Sequence, residues 1–521
     1  MTGALTPPSR RTLLTGVGSL ALLPGVGFGS RSAWAAGDTL RAGITGYNVI
    51  NTLDPGKASL IPEYYVIWSV YNGLLTFDDK MKIVPDLADS YVTAPDGGLE
   101  FKLRSGVKFH DGSTLTADDV KFSLERILDP KFASPNRSKV AEIDRIEILD
   151  PLTLRIYTKR PFAPLLTFLT NTRTGTQIVP KAAVQQMGDE AFARRPIGTG
   201  AYKVTSWQAG QALVLEAHES YFGGAPRIKT VNVPLIAEES SGVTALLGGQ
   251  IDLTSTAPFA DIPQLSSNKA IKVAKQPGLN TRFISLNLRK APFDDVHFRR
   301  AVSMAFQREA MVNAVLFGEG VVTHGVIPPT LGDYFSAAPR EVTTFDPKRA
   351  KEEFAKSKYA ANPPAVAVVT WGAGWWKRIA EIFVAQVNAT LGTKFTVEVT
   401  DPNAAYARQK SGDFVASVWG WLGMVDPDEY ISDIFHSTGW RNFGGYTNPE
   451  ADKLIMAGAG EMDPAKRSAI YRQAEALIME DAPVIPCFCS NIHNLTSTRV
   501  SGFVQKPYSN FGDQFANLQL S

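Results

Sequence analysis

Residues 84–128 read VPDLADSYVTAPDGGLEFKLRSGVKFHDGSTLTADDVKFSLERIL, and they constrain the fold more tightly than any other stretch of the chain. Asp96-Gly97-Gly98 and Asp111-Gly112 are turn sequences, because aspartate and glycine tolerate the backbone angles of tight turns. Between them, Leu99 to Phe109 alternates apolar and polar residues with the period of a half-buried strand. Thr116 then stands at an N-cap, with Asp118 and Asp119 in the first helical turn, where the dipole favours anions. Ile127 and Leu128 close the helix and Asp129-Pro130 stops it. The stretch therefore builds a hairpin that feeds a helix. A turn accounts for His110 and Asp111 better than a catalytic role does.

The same residues resemble the signature of the family-5 extracytoplasmic solute-binding proteins of ABC importers, which take up peptides, glutathione, opines and nickel chelates. The resemblance rests on Asp86-Leu87-Ala88, Phe101-Lys102-Leu103-Arg104, Gly106-Val107-Lys108-Phe109, Asp111-Gly112 and Thr116-Ala117-Asp118-Asp119-Val120. Further segments extend it over essentially the whole chain after residue 35. Pro196-Ile197-Gly198-Thr199-Gly200-Ala201-Tyr202 matches a Gly-Thr-Gly-Pro-Tyr segment, with Ala201 at the usual proline. No Gly-Lys-Ser/Thr follows these glycines, so a phosphate loop is not indicated. Pro292-Phe293-Asp294-Asp295 opens a helix whose apolar stripe, Phe298, Ala301, Val302, Ala305 and Phe306, falls at helical spacing and reads as core.

Short apolar strands alternate with helices throughout, the pattern of an α/β protein. The resemblance implies a two-lobed periplasmic-binding-protein fold of type II (cluster C) with an extra subdomain in the first lobe. It places the first lobe at residues 36–282 plus 490–521, with the inserted subdomain at about 76–204, and the second lobe at 283–489. The chain crosses between lobes at Asn280–Asn287 and returns near Cys489–Leu495, and a last strand is expected around Val500–Gln505.

The first 35 residues read as a twin-arginine signal peptide. Ser9-Arg10-Arg11-Thr12-Leu13-Leu14 supplies the twin-arginine motif, Leu13 to Phe28 is mildly apolar, and Ala33-Trp34-Ala35 fits a cleavage site. Pro24 and several glycines make this a poor membrane-spanning helix. The expected location is the periplasm. Removing Arg10, Arg11 and Arg31 leaves 50 basic against 51 acidic residues. A near-neutral chain without basic runs is a poor partner for nucleic acid or membrane surfaces. Cys487 and Cys489 stand two apart on an apolar strand, where a bond between them would be strained, so buried free thiols are expected and a redox or metal pair is the alternative.

Ligands of open α/β lobes bind at the carboxyl ends of strands. Two segments end there. One runs from Ala365–Thr370 into Trp371-Gly372-Ala373-Gly374-Trp375-Trp376, whose glycines let a ligand approach the backbone. The other contains Trp419-Gly420-Trp421-Leu422-Gly423-Met424-Val425-Asp426-Pro427-Asp428-Glu429, in which Trp419 and Trp421 share one strand face and Asp426 to Glu429 reads as a capping box. Tyr47 and Asn48, after the first strand, and Arg441 and Asn442, before Gly444-Gly445, complete the candidates. Arg441 has the geometry to hold a carboxylate in a fork, against the plainer reading of a solvated surface arginine.

The resemblance breaks at one informative place. Peptide binders of the family carry an aspartate after Trp-x-Gly that anchors the peptide's amino terminus, and the matching position here is Met424, in a loop one residue shorter. A buried ammonium without a carboxylate is costly. This implies a more apolar or aromatic ligand, or one anchored elsewhere.

The function implied is a monomeric periplasmic binding protein without cofactor, metal or catalytic residues, which passes a small or peptide-like solute to an inner-membrane ABC permease. A metal-chelate or haem carrier of the same fold is the alternative. An exported hydrolase is the third reading. The chain has neither Gly-x-Ser-x-Gly nor His-Glu-x-x-His, and its six histidines are scattered in sequence without a close pair.

Overall fold

The computed structural model describes residues 38–521 apart from 339, 373, 509 and 510. The leader expected over residues 1–35 lies outside the described residues. Among those described, no helix is long and apolar enough to cross a membrane.

The fold is organised by one twelve-stranded mixed sheet. Its strands Thr39–Thr45, Thr230–Ile236 and Leu253–Thr254 run parallel to one another at one end. Val366–Trp371 runs parallel to Phe395–Thr400 and to Ala416–Leu422 at the other. Between these groups lie two strands that bind them. Asn280–Leu286 pairs antiparallel with Ala416–Leu422 and with the start of Val484–Ser497. The fourteen-residue strand Val484–Ser497 then pairs through its second half with Leu253–Thr254 and Ile271–Pro277. A separate four-stranded antiparallel sheet, in the order Ala88–Thr93, Leu99–Leu103, Thr153–Thr158, Ile143–Asp150, carries its own core from Leu74 to Ile178. A further core is built only from residues 284–488 and contains the predicted stripe Phe298, Ala301, Val302, Ala305 and Phe306.

Most local expectations hold, and the exceptions have physical reasons. The strand expected over Leu99–Phe109 ends at Leu103, because a turn at residues 105–106 interrupts it and only a single bridge, Lys108 to Thr114, resumes the pairing. The helix that follows covers Ala117–Leu128, and Asp119 caps it by accepting from both the backbone N–H (2.9 Å) and the hydroxyl (3.0 Å) of Thr116. The strand expected around Val500–Gln505 covers only Val500–Ser501 and is not the last, since it pairs with Gln519–Leu520, while Phe511, Phe515 and Leu518 fold back into the main core. Gly198 and Gly200 pack against the end of the helix Ile61–Val70. A Cβ on Gly200 would sit 2.4 Å from the Ser69 carbonyl oxygen, so close packing, not phosphate binding, requires glycine there. Cys487 and Cys489 are free and buried, and burial pushes their thiols up to about 12 and about 11.

His110 and His218, distant in sequence, are in fact neighbours, with ring centroids 5.0 Å apart. Each has a ring nitrogen within hydrogen-bond distance of the Gly200 carbonyl, and the Gly198 N–H donates to His110 Nδ1 (3.2 Å). Burial holds His110 down at about 3, so it is neutral. The pair fastens the Gly-Thr-Gly segment, which replaces the expected scatter of histidines by a structural clamp.

Glu429 does not close a capping box on Asp426, although Asp426 accepts from the Asp428 N–H (2.9 Å) at the start of the helix Asp428–Phe435. Asp426 is buried and takes a bidentate ion pair from Arg467 of the helix Pro464–Glu480 (2.9 and 2.7 Å), while Glu429 reaches back to accept from the Met424 N–H (2.8 Å). Tyr471 donates to Asp428 (2.6 Å), whose carboxyl is pushed up to about 7 by burial and by the charge of Asp426. Removing the cation of a buried pair strands its carboxylate. Arg467→Met is therefore expected to lose about 3–5 kcal/mol in chemical denaturation, against under about 0.5 kcal/mol for Lys453→Met on the surface. A raised folded pKa makes Asp428 stabilising when protonated and lets that stability drain as pH rises toward 7. The stability of the native chain relative to Asp428→Asn should fall by about 1–2 kcal/mol from about pH 5 to 7 and then level off. A difference that does not change with pH would contradict the assignment.

Candidate functional site

The register of two strands sets the site. Asn280–Leu286 pairs with Ala416–Leu422 so that Thr281 faces Trp421, Arg282 faces Gly420 and Phe283 faces Trp419. Side chains alternate across a strand, so Trp419, Trp421, Phe283 and Ser285 share one face and Arg282 lies on the other.

On the arginine face, the Arg282 guanidinium sits over the rings of Trp375 and Trp376, at 5.2 and 5.0 Å. These rings stack on each other at 4.6 Å, and Trp376 continues onto Trp371 at 4.1 Å. Trp371 meets Trp419 edge-on at 5.7 Å, which joins the two aromatic segments. Arg282 Nη1 donates to the carbonyls of Thr281 (3.0 Å) and Trp421 (3.4 Å), but its buried Nε has no partner. Among the described residues no carboxylate lies within 4 Å of it, and burial holds it down at about 10. Tyr47 belongs to the same group: burial and the charge of Glu239 push its phenol up to about 12, against the pull of Arg173 and Arg282. Asn48 beside it is exposed. Gly374 has φ of +53°, so backbone conformation explains this glycine without a ligand.

On the tryptophan face lies a cavity lined by Phe283, Ser285, Gln409, Trp419, Trp421 and Arg441, among others. The Arg441 guanidinium is held between the rings of Trp421 (3.4 Å) and Trp440 (3.9 Å). It is no surface arginine, and burial brings it down to about 10 although Asp433 and Glu429 oppose this. Burial also pushes Asp433 up to about 6 against the pull of Arg441. Asn442 lines this cavity too, but its amide is fully used within its own loop. It donates to the carbonyls of His436 (3.1 Å) and Tyr446 (2.6 Å) and accepts from the Tyr446 N–H (2.8 Å). It shapes the loop and leaves no free donor for a ligand.

Past the end of the tryptophan strand is a second cavity, lined by Ile61, Tyr64, Trp68, Thr172, Arg173, Leu279, Leu422 to Val425 and Tyr508. Met424 is here, 3 % exposed, and its sulfur accepts from the Thr172 hydroxyl at 3.5 Å. Arg173 donates to the Leu422 carbonyl, and Lys139 lies 4.0 Å from Glu429. Burial holds Lys139 down at about 8. The wall at Met424 is therefore apolar, and its charged neighbours are Arg173, Lys139 and Glu429, whose carboxylate is already taken by the Met424 N–H and faces Lys139.

Arg173, Arg282, Gln409 and Asp433 were not among the sequence candidates. Arg282 alone carried a signal, as a charged residue within the otherwise apolar and neutral run Asn280–Leu286. The other three sit on segments with no motif, and folding alone brings them to the cavities. Trp421 supports one face of Arg441 and lines the cavity, so Trp421→Ala should weaken solute binding about tenfold or more with little change in thermal midpoint. Trp419→Ala should abolish solute-induced tryptophan quenching in fluorescence titration. Unchanged affinity and quenching in these variants would remove both tryptophans from the site.

Comparison with known proteins agrees with this fold. The chain is 28% identical over 501 residues to the glutathione-binding protein GsiB of Shigella dysenteriae, covering 94% of this chain and 96% of the relative. It superposes on the periplasmic binding protein DppA of Helicobacter pylori, in complex with the peptide STSA, with a TM-score of 0.81 at 25% identity, over 92% of this chain and 98% of that one. The mannopinic-acid complex of MoaA from A. tumefacien R10 gives the same TM-score at 26% identity, over 93% of this chain and all of that one. These are two-lobed folds of the same kind. The sequence pattern described as bacterial extracellular solute-binding proteins, family 5 Middle, matches residues 82–442, and the chain belongs to the bacterial extracellular solute-binding proteins of family 5.

Proposed function

We propose that this protein is the periplasmic substrate-binding component of an ABC importer, which captures a small organic solute between two lobes and hands it to the membrane permease without chemical change. The lobes are residues 36–282 plus 490–521 and residues 283–489, and residues 1–35 direct export and are removed. The observation that carries this reading is the pair of strands, Asn280–Leu286 and Val484–Ser497, that tie the two halves of the sheet. Two crossing strands let the lobes rotate about a narrow hinge.

The contacts across the cleft fit a closing mechanism. Arg173 to Leu422, Thr172 to Met424 and Lys139 near Glu429 join groups from opposite sides of the cleft. A solute that binds the closed arrangement better than the open one shifts the population toward closure by its differential affinity. The relatives named above take glutathione, a tetrapeptide and an opine. Met424 at this wall, with Glu429 already engaged by its N–H, disfavours a solute anchored by its amino terminus, and the stacked tryptophans favour one with flat or apolar parts.

The reading is tested by native mass spectrometry of the exported protein, then denaturation to release what is bound, with small-angle scattering before and after addition of the released solute. A discrete small solute whose addition reduces the radius of gyration is the expected result. Turnover of the solute, or binding without any lobe movement, would count against a carrier role.

A further inference from the structure

The cavity beneath Trp419 and Trp421 contains polar groups that the fold does not use. Gln409 is 0 % exposed, and neither its Nε2 nor its Oε1 has a hydrogen-bond partner. Buried amides in native proteins are almost always paired, and an orphan needs an explanation. Arg441 Nη1 and Trp421 Nε1 are likewise buried without a partner. All three residues line this one cavity.

The state of Arg441 tells what kind of group is missing. Tryptophan rings clamp both faces of its guanidinium, at 3.4 and 3.9 Å, and so fix its plane without using its N–H groups. The edge of a guanidinium is what matches a carboxylate. Arg308 shows the contrasting case of an arginine held purely for structure. It is fully buried, and its N–H groups donate to the carbonyls of Pro486, Ser303, Phe306 and Thr343 and to the Ser303 hydroxyl. Arg441 has no such arrangement, and among the described residues no carboxylate is within 4 Å of it. The surrounding charges favour an anion as well. Arg173, Arg441 and Lys139 face Glu429 and Asp433, of which Glu429 already accepts from Met424 and Asp433 is raised to about 6 by burial.

We propose that this cavity is a subsite for a carboxylate of the captured solute: the acid group lies on the clamped edge of Arg441, and an amide or hydroxyl next to it on the solute pairs with Gln409. The substrate class is then an organic acid bound through its carboxylate rather than through an ammonium group. This rests on the solute-binding reading above.

The test is calorimetry on the full exported protein with glutathione, glutathione diethyl ester, mannopinic acid and tri-alanine amide. An acid that binds with the ester at least about tenfold weaker is the expected result, since a hydrogen bond to a charged group is being lost. Arg441→Met should lower the affinity for the acid to that for the ester and leave the ester unchanged. Arg441→Lys, which keeps the charge and loses the flat edge, should fall between. Gln409→Leu should raise the thermal midpoint of the empty protein, because a stranded amide is gone, while weakening the acid. Equal binding of acid and ester, or an Arg441→Met protein that binds the acid unchanged, overturns the subsite. So does binding of tri-alanine amide but of neither acid, which leaves the carrier role standing. Binding of no probe, with no lobe closure on a released solute, overturns both.

Discussion

The structure depends on the antiparallel register of Asn280–Leu286 between Ala416–Leu422 and Val484–Ser497. Ladder hydrogen bonds fix which residues stand opposite, and a slip of one residue would move every side chain to the other face. In this register Arg282 stands opposite Gly420, where the missing side chain leaves the guanidinium room to lie over Trp375 and Trp376. The same register puts Trp419 and Trp421 together on the opposite face, above Gln409 and against Arg441. A single pairing thus sets the crossing between the halves of the sheet and both aromatic walls.

Around this register the protein holds three kinds of buried charge. Asp426 and Arg467 are matched to each other and fasten the loop after the tryptophan strand to the helix Pro464–Glu480. Arg308 is matched to carbonyls and knits its segment to the long strand through Pro486. Arg282 and Arg441 are matched mainly to aromatic faces, an arrangement that keeps a cation in place while leaving donor groups free. The first two kinds build the scaffold. The third is the kind a binding protein needs, because a site whose polar groups were all satisfied internally would gain little from a ligand.

Much of the fold could be read directly from residues. The turns Asp96-Gly97-Gly98 and Asp111-Gly112, the Thr116–Asp119 cap, and the helical stripe from Phe298 to Phe306 are local signals, and local chemistry decides them. The strand expected to reach Phe109 stopped at Leu103 because alternation continues through a turn as easily as through a strand. The pairing of His110 with His218 had no local signal, since 107 residues of chain separate two residues that meet at the Gly200 carbonyl.

For the site, residue types alone pointed to the family, the aromatic residues at the strand ends, and the replacement of an expected acid by Met424. These are matters of residue type at a position within a motif. That Asn442 serves its own loop while Arg441 is clamped between Trp421 and Trp440, and that Gln409 is buried with nothing to bind, emerges once the chain is folded. The reason is physical. Whether a polar group is satisfied depends on atoms brought close by folding from distant parts of the chain, and no spacing along the sequence reports that distance.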